Sequence, residues 1–230
     1  MSKTQESDIR QSLTAMFGTP FLSYQWPDSD ELNREIAELV MAEEAGDDKG
    51  RGIRSNAGGW QSRGNLLMRP ERCLVELKQR VETTVFEVIG AILRQDGTKR
   101  TFQLAFDSWA NVCRNGNYNV VHTHPNAMWS LVYYVSAGEP DPSVPYSGSL
   151  ELLDPRESAN YIQIPNTILD ARMFIENRPG RMVLFPSWVK HMVHPFIGEG
   201  VRISIAINVN VIEKSLATQP DEYRAADPGS

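Results

Sequence analysis

At Thr101 the hydrophobic period of this chain changes, and that change constrains the fold more than any other feature. Before it, apolar residues recur at helical spacing. Leu32, Ile36, Leu39 and Val40 mark a first helix that opens at the capping side chains of Asp28-Ser29-Asp30 and runs to Gly46. Leu74, Leu77, Val81, Val85, Val88, Ile89 and Ile92 mark a longer one that stops by Asp96-Gly97. It begins near Pro70, whose missing N–H suits a first helical turn. A glycine- and charge-rich loop, Gly46 to Gly64, separates the two.

After Thr101 the period is two, the mark of strands with one buried face. The candidate strands are Thr101–Trp109, Tyr118–His124, Trp129–Ser136, Ser149–Leu153, Asn160–Ile164, Met182–Phe185, Met192–Phe196 and Val201–Val211. Turns such as Gly138-Glu139-Pro140-Asp141-Pro142 and Arg178-Pro179-Gly180 punctuate them. Short strands so spaced imply a β-sandwich or double-stranded β-helix, the jelly-roll class, here with two flanking helices packed on a sheet. The expected organisation is one domain, with residues 1–100 as mostly helical support, 101–212 as the β core and 213–230 as a polar tail.

Composition removes several function classes. A net charge of −6 and a pI near 5.3 argue against nucleic acid as a partner, because phosphate binding needs a basic face. Two cysteines, Cys73 and Cys113, make no disulfide framework and fit a reducing interior. Met1 to Gln11 holds no apolar segment of the kind a secretory leader needs. Asn115 to Gly138 lacks acidic and basic residues, yet its histidines, proline, asparagines and serines do not suit a bilayer core. The expectation is a cytoplasmic protein without a membrane partner; nothing in the sequence marks its oligomeric state.

The chemistry-bearing residues are concentrated in the strand half. His122 and His124 lie two apart in a strand, so both rings project to one face and can reach one ion at roughly 2.1 Å. The bland alternative is a pair of polar strand residues facing water. The apolar neighbours Val120, Val121 and Trp129 and the uncharged run around them argue against it. A third ligand has to come from another strand, and His191 is the candidate. His194 lies three positions further on. Pro186 and Pro195 give this segment an extended course, in which positions three apart face opposite ways, so only one of the two histidines can be a ligand. His191 is preferred because its distance from Arg202 allows a strand, a turn at Gly198-Glu199-Gly200 and a return strand. His194 is then structural or at the rim.

Val201 to Asn210 alternates strictly. Ile203, Ile205, Ile207 and Val209 form an apolar face; Arg202, Ser204, Ala206, Asn208 and Asn210 form a small polar one. An arginine there is either an edge residue reaching for water or a buried cation that needs an anion. A ligand carboxylate, bound through two parallel hydrogen bonds with Ser204 adding a third, is one partner. An internal Asp or Glu is the other.

These residues resemble the Fe(II)/2-oxoglutarate-dependent oxygenase superfamily, and most of all its functionally uncharacterised bacterial and phage branch. The resemblance is carried by Tyr118-Asn119, His122-Thr123-His124-Pro125-Asn126-Ala127 and Ser130-Leu131-Val132-Tyr133-Tyr134-Val135. Gly148-Ser149-Leu150 with Asp154-Pro155-Arg156, Phe185-Pro186-Ser187-Trp188-Val189-Lys190-His191 and Arg202-Ile203-Ser204 continue it, and Asn56 to Ser62 looks like the family's N-terminal part. It implies a double-stranded β-helix with Fe(II) between His122, His124 and His191. It also implies 2-oxoglutarate as cosubstrate, its far carboxylate on Arg202 and Ser204. Tyr134 joins them by likeness to a tyrosine in the strand Tyr-Tyr-Leu of prolyl hydroxylases. The implied activity consumes O2, decarboxylates 2-oxoglutarate to succinate and CO2, and hydroxylates a substrate that the sequence leaves open. A protein residue, a free amino acid and a small metabolite all fit.

One departure stands out. Most of the superfamily has His-x-Asp or His-x-Glu where this chain has His122-Thr123-His124. A third imidazole leaves the ion more positive than a carboxylate would. The alternatives are His124 as a ligand in the carboxylate's place, or His124 hydrogen-bonded behind the ligands. Three-histidine iron also serves cupin-type thiol dioxygenases, which use no 2-oxoglutarate, and a non-catalytic metal- or carboxylate-binding module is the remaining reading. Trp129, Trp188 and Arg156 are candidates for the mouth of the pocket.

Overall fold

The computed structural model describes residues 18–47, 55–93, 100–158, 161, 164–165, 167 and 170–214. Strand β1 (Leu22–Gln25) precedes helix α1 (Asp30–Gly46); the short strands β2 (Asn56–Ala57) and β3 (Trp60–Gln61) come next, and helix α2 (Arg72–Ile92) follows. The second half is β4 (Phe102–Cys113), β5 (Tyr118–His122), β6 (Trp129–Pro140), β7 (Leu150–Leu153), β8 (Arg172–Ile175), β9 (Arg181–Pro186), β10 (His191–Val193) and β11 (Gly198–Glu213).

Two antiparallel sheets result. One has the order β1-β9-β6-β11-β4-β3, the other β2-β5-β10-β7-β8. The alternation of β11 decides what each face meets. Ile203, Ile205, Ile207 and Val209 are buried against Leu32, Ile36 and Val40 of α1 and Leu74, Leu77, Val81 and Val85 of α2. Each such side chain contributes about 1.5–3 kcal/mol by leaving water, so this layer anchors the larger sheet on its helices. Asn33 enters the same layer, where its Oδ1 accepts the Tyr133 hydroxyl at 2.5 Å. The opposite face of the larger sheet looks at the smaller sheet. Tyr134, Val183 and Phe185 from one meet Leu150, Leu152 and Ile175 from the other. Among the described residues the protein is mainly β, with two α-helices on one side of a double-stranded β-helix.

Both helices form where the apolar spacing places them. α1 starts at Asp30, although Ser29 spends its hydroxyl on the Trp26 carbonyl rather than on a helical N–H. α2 starts two residues after Pro70 and ends at Ile92; Asp96-Gly97 falls outside the described residues. Several strand limits differ. β4, β6 and β11 are longer than the alternation indicates, because a strand paired on both sides keeps its ladder past the last buried residue. β5 stops at His122, and β10 runs His191–Val193 instead of Met192–Phe196. Most of the candidate strand Asn160–Ile164 lies outside the described residues, and the described Ile164 is not in a strand. β1, β2, β3 and β8 are too short to show a period, so the first hundred residues contribute strands as well as helices.

Candidate active site

The triad is assembled by strand pairing. His191 opens β10 and stands directly opposite His122 at the end of β5. His124, two residues past β5, is fixed by its backbone N–H, which donates to the Ser187 carbonyl at 3.0 Å. One ring nitrogen from each histidine lies within 4.8 Å of the others. Nε2 of His124 and Nε2 of His191 are 3.2 Å apart. Two nitrogens held ~2.1 Å from one ion at a right angle stand about 3.0 Å from each other, so the spacing suits a shared metal.

The tautomers suit it too. Nδ1 of His122 donates to the Val120 carbonyl at 2.7 Å, and Nδ1 of His191 to the Val189 carbonyl at 2.9 Å. A carbonyl only accepts, so each Nδ1 carries the proton and each Nε2 keeps a lone pair. Burial holds both rings neutral. It pushes His122 below the ordinary imidazole value, and pushes His191 down to about 3, with His122 adding to the effect. A neutral imidazole is the form that binds a metal. The rings are braced by aromatics: Trp109 stacks on His124, and Phe185 meets His191 edge-on at 4.9 Å.

The other end of the site is cationic. Arg202 is 1% exposed. Its Nε donates to the Gly148 carbonyl at 3.1 Å and its Nη1 to Ser204 Oγ at 3.2 Å. Among the described residues no carboxylate pairs with it. Gly148 has φ +64°, and a Cβ there would crowd Asn177, Phe196 and the Cδ of Arg202, so glycine is what lets this carbonyl face the guanidinium. Tyr134 stands opposite Ser204 in the β6–β11 pair, its ring 5.7 Å from the guanidinium carbon. Its hydroxyl is buried without a hydrogen-bond partner, and burial pushes its pKa up to about 12. It is therefore a neutral donor beside a cation. A buried arginine without an acidic partner among the described residues, a serine and a phenol with a free hydroxyl have the chemistry to receive a carboxylate.

Both ends line one cleft between the two sheets, which holds His122, His124, His191, Arg202, Ser204 and Tyr134 together. They meet by a different route from the hairpin expected of the sequence. β10 belongs to the smaller sheet and β11 to the larger, so His191 and Arg202 are not on adjacent strands. Gly198-Glu199-Gly200 is not a turn but the start of β11, opposite Pro140 and Glu139. Pro195 has no N–H to offer a ladder, and the chain crosses between sheets there. Gly200, at φ +74°, then sits where the register of β11 slips before Arg202.

Val120 and Val121 are 42% and 50% exposed, so the apolar flanks of His122 do not bury it as expected. His122 is reached through the opposite pleat and the pairing with His191. Trp129 is buried on the helix side, while Trp188 is exposed and Arg156 pairs with Asp154 at 2.5 Å; none of the three lines the cleft. His194, expected to be structural or at the rim, does not line the cleft, and its Nε2 lies 2.6 Å from a Glu151 carboxylate oxygen. Sequence reasoning missed Gln61, Trp109, Asn111 and Asn208, which line the cleft. The signal for Asn208 was present, on the polar face of β11. Trp109 and Asn111 are legible only through the register, opposite Ala206 and Ser204.

Residues 107–208 match the family model described as "Putative 2OG-Fe(II) oxygenase". This stretch, somewhat under half of the chain and the larger part of its β core, is similar to that family. No curated protein matches the chain in sequence. Solved structures share its fold. A prolyl-4-hydroxylase of Pseudomonas putida is 15% identical, with a TM-score of 0.56 over 84% of this chain and 92% of its own. HygX of Streptomyces hygroscopicus, solved with nickel and 2-oxoglutarate bound, is 11% identical, with a TM-score of 0.55 over 84% of this chain and 83% of its own. The α-ketoglutarate-dependent epimerase SnoN of nogalamycin biosynthesis is 10% identical, with a TM-score of 0.59 over 91% of this chain and 86% of its own. No helix among the described residues is long and apolar enough to cross a membrane.

Proposed function

We propose that the protein is a dioxygenase that hydroxylates its substrate, with His122, His124 and His191 as the ligands of Fe(II). Arg202, Ser204 and Tyr134 receive the far carboxylate of 2-oxoglutarate. Iron bound there supplies O2 activation, coupling oxidative decarboxylation of 2-oxoglutarate, to succinate and CO2, to oxidation of a C–H bond. The chain's own part is placement. The Val120 and Val189 carbonyls orient two rings, and Trp109 steadies the third. Arg202 sets the direction of the cosubstrate, and the apolar wall of Val132, Leu150 and Phe185 keeps water away.

The observation that carries this reading is Arg202, a buried guanidinium without an acidic partner among the described residues, in the same cleft as three converging imidazoles. Arg202→Ala should weaken 2-oxoglutarate binding by about a hundredfold or more while Fe(II) affinity stays near native. Isothermal titration of 2-oxoglutarate into the metal-loaded chain reads the first, and succinate release with O2 uptake reads turnover. Unchanged 2-oxoglutarate affinity in that variant would sink the assignment. The three-imidazole set also suits a thiol dioxygenase; O2 uptake driven by a thiol in the absence of 2-oxoglutarate would favour that reading instead.

A further inference from the structure

Gln61 ends in a carbonyl oxygen that is buried without a hydrogen-bond partner, in a side chain that is 3% exposed and lines the cleft. The bonds behind it dictate which way the amide faces. The indole of Trp109 can only donate, and it gives its Nε1–H to Asn111 Oδ1 at 3.2 Å. Asn111 Nδ2 in turn donates to the Ser204 carbonyl at 3.5 Å. Asn111 Oδ1 accepts a second hydrogen, from Gln61 Nε2, at 2.7 Å. Turning the Gln61 amide over would set two carbonyl oxygens against each other, so Oε1 is held as a bare acceptor.

Its position is equally fixed. Gln61 pairs with Asn111, Asn111 with Ser204, and Ser204 with Tyr134, one row across β3, β4, β11 and β6. Trp60 enters the helix-side core, so alternation turns Gln61 to the cleft. β2 and β3 join different sheets and strap one side of the cleft. At the bend between them a Cβ on Gly59 would come within 2.9 Å of the Val112 carbonyl, so the strap lies tight on β4.

What fills this acceptor is not the cosubstrate. At neutral pH 2-oxoglutarate is a dianion whose oxygens all accept, and it offers no hydrogen to Oε1. Asn208 Oδ1 is a second buried acceptor without a partner in the cleft. Among the described lining residues Arg202 alone carries a fixed charge, so no carboxylate there recruits a cationic substrate. We propose that Gln61 Oε1 accepts an N–H or O–H from the primary substrate, and that Gln61 selects an uncharged donor-bearing group, a carboxamide or a hydroxyl. This rests on the oxygenase reading above. A buried acceptor left unpaired costs about 5- to 150-fold in an equilibrium, which is the discrimination Gln61 can exert.

The test uses the full chain loaded with Zn(II), as an inert stand-in, and 2-oxoglutarate. The side-chain amide signals of Gln61, assigned by their loss in Gln61→Met, are followed by ¹⁵N NMR during titration. The probes are acetamide, ethylene glycol and the donor-free N,N-dimethylacetamide. The expected result is that acetamide or ethylene glycol moves the Gln61 pair and N,N-dimethylacetamide does not, the responding probe naming N–H or O–H as the donor. Apparent affinity for that probe should fall at least fivefold in Gln61→Met, with 2-oxoglutarate affinity within twofold of native. Equal response to donor-bearing and donor-free probes, no response to any of them, or unchanged probe affinity in the variant would overturn the proposal. If Gln61→Met loosens the fold, the contrast between probes on the native chain still decides. Failure of the native chain to bind Zn(II) or 2-oxoglutarate would instead strike the functional reading, while the probe titration continues to report on Gln61.

Discussion

The indole of Trp109 lies against the imidazole of His124, ring centroids 5.7 Å apart and planes within 18° of parallel. Trp109 is on β4 of the larger sheet and His124 follows β5 of the smaller, so the stack bridges the cleft. His124 lies past the end of β5, while backbone carbonyls orient the rings of His122 and His191. The stack braces the ring of His124 from the other sheet. Trp109→Leu should lower metal affinity by about tenfold, the scale of a lost orienting contact. Trp109→Phe, which keeps the ring face, should stay within about threefold. Competition between the protein and a chromophoric chelator measures both; equal affinities in the leucine variant and the native chain would show that the stack does not position His124.

Arg202 and Ser204 share a buried bond with no acid nearby among the described residues, and that has a stability consequence. A buried cation without a counter-charge is costly, and replacing it by an apolar residue of similar length removes the cost. Arg202→Met should therefore raise the melting temperature of the ligand-free chain, by an amount equivalent to about 1–2 kcal/mol. In the metal-loaded native chain, 2-oxoglutarate at about 100 times its Kd should add roughly 2.7 kcal/mol of stability. The variant should gain almost none. Thermal scans with and without 2-oxoglutarate read both effects.

Much of this arrangement was legible in the sequence. Spacing alone located α1, α2 and the two faces of β11, because one-sided burial writes a period into the chain. His122 and His124 were readable as a pair for the same reason. The partner sheet of β10 was not readable. A proline and two glycines between His191 and Arg202 fit a hairpin as well as a crossover, and only the pairing of β10 with β5 and β7 decides. Gln61 and Asn111 were hidden for a related reason. Polar residues in short or edge strands look like solvent-facing positions until register sets them opposite Ser204.

The His124 position separates charge from geometry. Its Nε2 lies 3.2 Å from that of His191, close enough for both to reach one ion. If His124 is a ligand, His124→Ala should cost at least about a hundredfold in Fe(II) affinity, beyond the 10–100-fold typical of groups behind the ligands. His124→Asp restores the His-x-Asp pattern and supplies a hard oxygen ligand. It should hold Fe(II) within about tenfold of native. Loss of metal equal to that of the alanine variant would mean that this backbone cannot deliver a carboxylate to the ion. A loss of only about 10–100-fold in His124→Ala would place His124 behind the ligands, and no loss in either variant would mean that it does not act on the metal.

Glu151 supplies the pH test. It is 1% exposed on β7, between β10 and β8, and its carboxylate accepts from Arg172 at Nε and, at 2.8 Å, at Nη2. His194 Nε2 completes the set at 2.6 Å. The Arg172 hydrogen bonds, and after them His194, hold the Glu151 carboxyl below the ordinary carboxylate range against the opposing effect of burial. A depressed carboxyl stabilises the fold at pH values above its unfolded pKa, near 4.3, and that contribution is lost as pH falls through the lower folded value. Arg172 is about half exposed, so solvent screens its share. Glu151→Gln should therefore cost about 2 kcal/mol at pH 7, by leaving Arg172 and His194 without their charge partner. The gap between variant and native chain should narrow as pH drops below about 4, because the native carboxylate is then being protonated as well. Urea midpoints at pH 7 and pH 3.5 measure the gap, and an equal gap at both would mean that packing, not charge, is what Glu151 contributes to the sheet that carries His191.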